Sequence, residues 1–272
     1  MAWSEHSRDS SPAGFRPGQD VGITVSGVQF SFGSREVLSR IDLKVPQGQM
    51  WGLVGRSGTG KSTLLNIMAG LYTPNAGEIF VAGREREQHS RIRGVVFQED
   101  SLIGWLSVRE NLLFPKHLHP VGDAIPKSEA LLRELGLSDR ASALPGQLSA
   151  GMRKRVEFAR ALLSDTDYLL MDEPFGSVDA LTRRELWSMW HELRKSAPRT
   201  GIMSTHDPEE ALRMCDAVVV LSPNSPSTIT KILPVSPSIR ELQIDQYSDE
   251  LADSRAKIIE WLGTDSGDTS HA

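Results

Sequence analysis

Short apolar runs alternate with amphipathic stretches through most of this chain. Runs of roughly four to eight apolar residues between turn signals predict buried strands, and apolar positions recurring every three or four residues predict helices. Residues 48–55 (GQMWGLVG) fit the first pattern, as do 168–171, 201–204 and 217–221. Residues 62–71 fit the second, with Leu64, Leu65, Ile67, Met68 and Leu71 as the stripe. A helix beginning near residue 150 presents Met152, Val156, Ala159 and Leu163, and the basic run Arg153, Lys154, Arg155 beside them reads as a solvated face. A helix over about 180–195 presents Leu186, Met189, Trp190 and Leu193. Strands over 23–30 and 41–45 predict a small antiparallel β-region, and 78–81 and 95–97 add further strands. Strands alternating with helices imply an α/β fold with a mostly parallel core sheet.

Residues 108–144 read as largely helical, broken at Pro115, Pro120 and Pro126, with Ala130, Leu131 and Leu135 on one side of the run 127–135. Past Leu221, four prolines (Pro223, Pro226, Pro234 and Pro237) break up the chain before a terminal helix near 249–262. Residues 1–20 and 263–272 are polar and rich in small residues, with little to bury, and are expected to be disordered tails. The remainder, 21–262, reads as one domain with a helical insert over about 99–160.

The chemistry begins at residues 55–63, GRSGTGKST. This fits G-x-x-x-x-G-K-[ST], the phosphate-binding P-loop, and its context is a strand before and a helix after. Gly55, Gly58 and Gly60 let the backbone curl so that successive N–H groups point inward, and Arg56, Ser57, Thr59 and Thr63 complete the loop. The helix that starts there adds unpaired N–H groups and a positive dipole end. Lys61 supplies a point charge for the β- and γ-phosphates, and the Ser62 hydroxyl is a hard oxygen ligand for Mg²⁺. A second apolar run, 168–171, ends in Asp172-Glu173. Standing alone, that pair could be a polar strand exit. With a P-loop in the same chain, the strand delivers two carboxylates to the crevice where α/β sheets bind ligands. Asp172 would hold Mg²⁺, and Glu173 would act as general base on the attacking water.

Four further motifs follow a fixed order around these two: FQED at 97–100, LSAGM at 148–152, SVD at 177–179 and STHD at 204–207. Together the six motifs resemble those of the ATP-binding cassette (ABC) ATPases, over roughly residues 21–221. The stretches 95–112, 148–163 and 169–187 are similar in wording to the ATP-binding subunits of nitrate, sulfonate and taurine importers. The resemblance implies a role for each matching residue. Phe32 would stack on adenine, with Phe30 as a rival. Gln98 would meet Mg²⁺ and the water. Ser149 and Gly151 would contact the γ-phosphate bound to an opposite subunit, Asp179 would couple the two sites, and His206 would touch the γ-phosphate. Read from the residues alone, Asp207-Pro208 is a helix N-cap followed by a first-turn proline, which is compatible with that role for His206. Ala150 departs from the family's usual glycine, and a Cβ there costs ~1 kcal/mol or more if the position needs a positive φ. Val178 stands where leucine is common.

The resemblance further implies a head-to-tail dimer that sandwiches ATP and Mg²⁺, docked on integral-membrane permease subunits at the cytoplasmic face of the inner membrane and served indirectly by a substrate-binding protein. Composition agrees with that setting. The net charge of −5, from 30 basic and 35 acidic residues, gives no broad basic field for nucleic acid. The sole cysteine, Cys215, permits no intramolecular disulfide and reads as a small core residue. No run approaches the ~18 apolar residues of a membrane span, so spanning segments would come from partner chains. Other readings fare worse. Chromosome-associated cassette proteins insert long coiled coils between P-loop and signature, and no sustained heptads lie between Lys61 and Ser149. A GTPase would carry N/T-K-x-D, and residues 230–233 (TKIL) lack the Asp. An exporter, or a transporter of another solute, remains the alternative within the family.

Overall fold

Two sheets built from different pairing rules make the frame. The computed structural model describes residues 21–81, 84–85, 93–96, 101–118, 123–163, 166, 168–176, 178–196 and 198–263. β1 (Val21–Phe32), β2 (Arg35–Pro46), β4 (Ala76–Val81) and β5 (Arg84–Glu85) form an antiparallel sheet in the order β2-β1-β4-β5. Alternating burial along β2 puts Leu38, Ile41, Leu43 and Val45 on its inner face, as expected for a half-buried strand. The second sheet has the order β10-β9-β3-β8-β7-β6, from β3 (Met50–Val54), β6 (Arg93–Val96), β7 (Tyr168–Asp172), β8 (Thr200–Thr205), β9 (Ala217–Leu221) and β10 (Ile229–Pro234). Its pairs are parallel except β9–β10. β3, β8 and β9 are buried along their whole length, because helices cover both faces. β10 was not foreseen from the sequence, since its apolar content is low and prolines flank it.

α1 (Lys61–Ala69) packs under the first sheet, its Leu64, Leu65, Ile67 and Met68 joining β1, β2 and β3 in one core. Leu71 leaves the expected stripe and is exposed, because the chain turns at Gly70 (φ 76°), which ends the helix in the left-handed region. α2 (Val108–Leu118) and α3 (Ala124–Glu134) pack with α4 (Ala150–Leu163) around a separate apolar cluster, which is the core of the expected helical insert. Three expectations for this region are corrected. Pro115 lies inside α2 rather than breaking it; Val108 and Leu112 are fully buried, and that packing outweighs the missing N–H. Pro126 lies in the first turn of α3, where its missing N–H has no intrahelical partner to lose. Of the expected stripe, Leu135 is buried and Leu131 half-buried against the same cluster, but Ala130 is turned outward, and Ala124, Ser128 and Leu132 make the fully buried face of α3. Between α3 and α4 the chain makes two short 3₁₀ turns, 138–140 and 145–147.

α5 (Ala180–Ser196) buries Leu186, Trp187, Trp190 and Leu193 against α4 and the sheet. α6 (Pro208–Met214), α7 (Pro237–Arg240) and α8 (Asp249–Gly263) cover the other face, and Leu251 and Ile258 of α8 close over β9. α8 runs through Gly263, one residue beyond the expected domain boundary. Cys215 caps α6 in full burial, as a core residue. Among the described residues no helix is long and apolar enough to cross a membrane.

Candidate functional site

The site is assembled by sheet register. β3, β8 and β7 are neighbours and parallel, with Val54 opposite Thr205 and Asp172 opposite Ser204. Their C-terminal ends therefore release the P-loop, His206 and Glu173 at one edge, the place where open α/β sheets bind ligands. A cleft of about 550 Å³ opens there, lined by Ser57, Gly58, Gly60, Lys61, Ser62, Thr63, Glu173 and His206, with Phe32, Arg35 and Val37 from the β1–β2 hairpin.

The loop's shape follows from its glycines and its contacts. Gly60 has φ 86°, and a Cβ there would come 2.8 Å from Leu38 Cδ2, so both conformation and space demand glycine. Thr59 is buried and donates its hydroxyl to the Arg56 carbonyl at 2.9 Å, closing the turn from within. Lys61 Nζ donates to the carbonyls of Gly55 (2.9 Å) and Arg56 (3.1 Å). Gly55, Arg56 and Thr59 thus shape the loop rather than line the cleft. Burial pulls the Lys61 ammonium below its ordinary pKa, while the charges of Glu173 and Asp172 resist the shift.

Glu173 is one of two described non-glycine residues with a positive φ, at 42°. That left-handed conformation costs of order 1–3 kcal/mol and is held here by its surroundings. Its N–H donates to the Ser204 carbonyl and hydroxyl oxygens, both at 3.1 Å, and its carbonyl accepts from Gly176. The side chain stands between two partners: Oε1 lies 3.9 Å from Lys61 Nζ, and Oε2 lies 3.2 Å from His206 Nδ1. Asp172 sits one residue behind, its Oδ1 accepting from the Ser204 hydroxyl. Ser204 therefore holds the Asp172 carboxylate and the Glu173 backbone, a role that the STHD motif contained but sequence reasoning did not assign.

Phe32 is 51% exposed, whereas Phe30 is 8% exposed and belongs to the core. Phe30 stacks on Tyr72 (centroids 5.5 Å apart), and both present themselves edge-on to Phe32, at 4.9 Å and 5.7 Å. The cleft thus has a flat aromatic wall whose pose is fixed from behind. Arg35, the β-hairpin partner of Phe32, completes that wall and was also missed from sequence.

Ser149, Gly151 and Asp179 lie outside this cleft. Ser149 is exposed at the start of α4, and its hydroxyl accepts from the Met152 N–H at 3.2 Å. Ala150 has no positive φ, so its Cβ carries no backbone strain. Asp179 caps α5, accepting from Leu181 and Thr182 N–H groups and from the Thr182 hydroxyl, and these bonds hold its carboxyl below the usual range. The basic run after the signature is corrected: Lys154 is buried in an ion pair with Glu157, and Arg153 donates to the Leu148 carbonyl. Gln98 lies outside the described residues, as do residues 1–20 and 264–272 of the tails.

The residues present suit a hard divalent cation. Ser62 offers a hydroxyl in the cleft, and the half-buried Asp172 carboxylate stands behind Glu173, outside the lining residues. Among the described residues no cluster of three His, Cys, Asp or Glu forms an all-protein cage. A few oxygen donors beside a phosphate cradle is the pattern of Mg²⁺, which keeps most of its shell for water and phosphate.

Comparison with known proteins agrees with this geometry. The ABC transporter family profile matches residues 38–176. The chain is 37% identical over 222 residues to the aliphatic sulfonates import ATP-binding protein SsuB 1 of Rhizobium johnstonii, covering 79% of this chain and 78% of that protein. It is 39% identical to the taurine import ATP-binding protein TauB of Sinorhizobium fredii, covering 74% and 75%. The solved structure of cbiO1 from Clostridium perfringens, part of the ABC transporter complex cbiONQ, has the same fold, with a TM-score of 0.71 at 22% identity over 82% of this chain and 92% of that one. The chain belongs to the ABC transporter family and carries its ATP-binding domain.

Proposed function

We propose that this chain is the ATP-hydrolysing subunit of an ABC importer for a small oxyanion-bearing solute such as taurine, an alkanesulfonate or nitrate. The convergence of Lys61, Glu173 and His206 on one cleft carries the reading. The solute class is supported by the names of the sulfonate and taurine import relatives.

The adenine ring would lie on Phe32, and the triphosphate would run along the N–H groups of residues 57–63 into the dipole end of α1. Lys61 would exchange its two loop carbonyls for phosphate oxygens. Ser62 and Asp172 would hold Mg²⁺, with Gln98 beside them; bound there, Mg²⁺ supplies charge neutralisation on the phosphates. Glu173 would accept a proton from water as that water attacks the γ-phosphorus, and its left-handed backbone aims the carboxylate at this position. His206 would hold Glu173 on one side and the γ-phosphate on the other. Ser149 and Gly151, remote from their own cleft, would close the cleft of a second copy, with Asp179 at the joint between the two. Loss of the γ-phosphate would then open the pair, and that motion would drive integral-membrane permease subunits. The chain would sit at the cytoplasmic face of the inner membrane and meet a substrate-binding protein only through the permease.

Sedimentation of the Glu173→Gln chain tests the sandwich. Mg-ATP should convert it to a dimer, and adding Ser149→Arg should prevent this. A dimer indifferent to Ser149→Arg would refute the reading.

A further inference from the structure

A buried polar network joins α4 to the loop that follows Gln98. Lys154 Nζ lies 2.9 Å from Glu157 Oε2, and both side chains are 1% exposed. The second oxygen of that carboxylate, Oε1, accepts from the backbone N–H and the hydroxyl of Ser101, the latter at 2.9 Å. Arg160, one turn further along α4, donates to the Ser101 carbonyl at 2.8 Å and to its hydroxyl. All three polar groups of Ser101 are thereby held by one helix.

The same loop is clamped at its other end. Asn111 of α2 is fully buried; its Oδ1 accepts from the Ile103 N–H, and its Nδ2 donates to the carbonyls of Ile103, Leu106 and Ser107. Between the clamps the loop carries Trp105 outward, 81% exposed. An ion pair taken out of water gains little net stability over apolar side chains of the same size. What Glu157 does supply is geometry: its Oε1 holds Ser101, while Lys154 balances the buried charge on Oε2.

We propose that Glu157, its charge balanced by Lys154 and its hold assisted by Arg160, is a positioning residue that locks Ser101 to the signature helix, so that the loop bearing Trp105 and the helix beginning at Ser149 move as one body. The inference rests on the ATPase reading above for its consequence, since Ser149 matters to turnover only if it completes a second copy's cleft. A displacement at the loop tip would reach Ser149 through Ser101, Glu157 and the rigid α4.

The test compares two double variants of the full chain. Lys154→Met/Glu157→Leu removes the ion pair and the acceptor for Ser101 while keeping volume. Lys154→Met/Glu157→Gln removes both charges but keeps a carbonyl oxygen for Ser101. Amide hydrogen exchange at residues 101–103 should rise roughly tenfold or more in the Leu variant and stay near wild type in the Gln variant, at similar thermal midpoints. Steady-state Mg-ATP hydrolysis should show kcat lowered roughly tenfold to a hundredfold in the Leu variant with KM nearly unchanged, and kcat restored in the Gln variant. Wild-type exchange and kcat in the Leu variant would overturn the proposal, as would a Gln variant impaired as severely as the Leu variant. Should the Leu variant fail to fold, Ser101→Ala must lower kcat in the same direction, and an unchanged kcat there would equally overturn it. A wild-type chain unable to hydrolyse Mg-ATP would instead refute the ATPase reading, and the exchange measurement would still decide whether Glu157 holds Ser101.

Discussion

Gly151 lies so close to Thr182 that a Cβ on the glycine would come 2.4 Å from the threonine methyl. The same threonine donates its hydroxyl to Asp179 Oδ2 at 2.7 Å. One side chain thus joins the start of α4 to the cap of α5, the two places where the resemblance puts the contacts between subunits.

Gly151→Ala should therefore destabilise the isolated chain by about 1–3 kcal/mol, the usual cost of overpacking a close contact. Adding Thr182→Ser removes the methyl, keeps the hydroxyl on Asp179, and should recover most of that loss. Denaturant melts of the two variants measure both effects. A Gly151→Ala chain as stable as wild type would show that α5 yields at this contact.

Trp105 gives a second prediction. A tryptophan in an apolar run such as 102–106 can fill a core or anchor a partner, and the structure leaves the Trp105 ring in solvent. Trp105→Ala should change the stability of the isolated chain by no more than about 0.5 kcal/mol, as for other exposed positions, and leave ATP binding intact. Assembly with the permease should weaken. Thermal unfolding with co-purification of the complex checks this; normal assembly would remove Trp105 as an anchor.

Much of this site is legible along the chain because its parts sit at strand ends. Residues 55–63, Asp172-Glu173 and His206 each follow an apolar run, and the parallel register of β3, β8 and β7 gathers them. Phe30 and Phe32 share a parity along β1, so strand alternation does not separate them; the end of the strand does, leaving Phe32 exposed and Phe30 in the core. What escaped is what depends on partners distant in sequence. Ser204 holds the Asp172 carboxylate and the Glu173 backbone from the neighbouring strand, and Thr182 meets Gly151 across two helices. Lys154 is a different case: its counter-charge is Glu157, three residues on, and what escapes the sequence is that packing of α4 buries the pair. A run of three basic residues looks solvated until the fold covers its middle member. The face of α3 was misread because Leu131 and Leu132 are adjacent, and only packing against α2 and α4 selects Leu132.

Glu210 predicts a pH dependence. Its Oε2 accepts from the Thr205 hydroxyl, next to His206, while Oε1 is buried near the Trp187 indole N–H without a well-formed hydrogen bond. Burial raises its pKa to about 7 from 4.5; Asp207 adds to the rise, and the Thr205 bond, the Arg183 charge and the Trp187 indole oppose it. The folded chain then holds this proton more tightly than the unfolded chain does. Its contribution to stability is fully present below the unfolded value and falls as pH rises through the folded one, by up to roughly 3 kcal/mol. Glu210→Gln should flatten that slope. Denaturant melts at about pH 5 and about pH 8 read it directly, and a slope unchanged in the variant would assign the pH dependence to other groups.

Single-turnover hydrolysis of bound ATP by Glu173→Gln, set beside Lys61→Ala, bears most directly on the chemistry assigned to the cleft. Glu173 faces both Lys61 and His206 from a backbone conformation that non-glycine residues seldom adopt. Glu173→Gln should bind Mg-ATP as tightly as wild type and turn it over roughly 10²–10⁴-fold more slowly, whereas Lys61→Ala should fail to bind it tightly. Near-normal turnover in Glu173→Gln would contradict its role as general base.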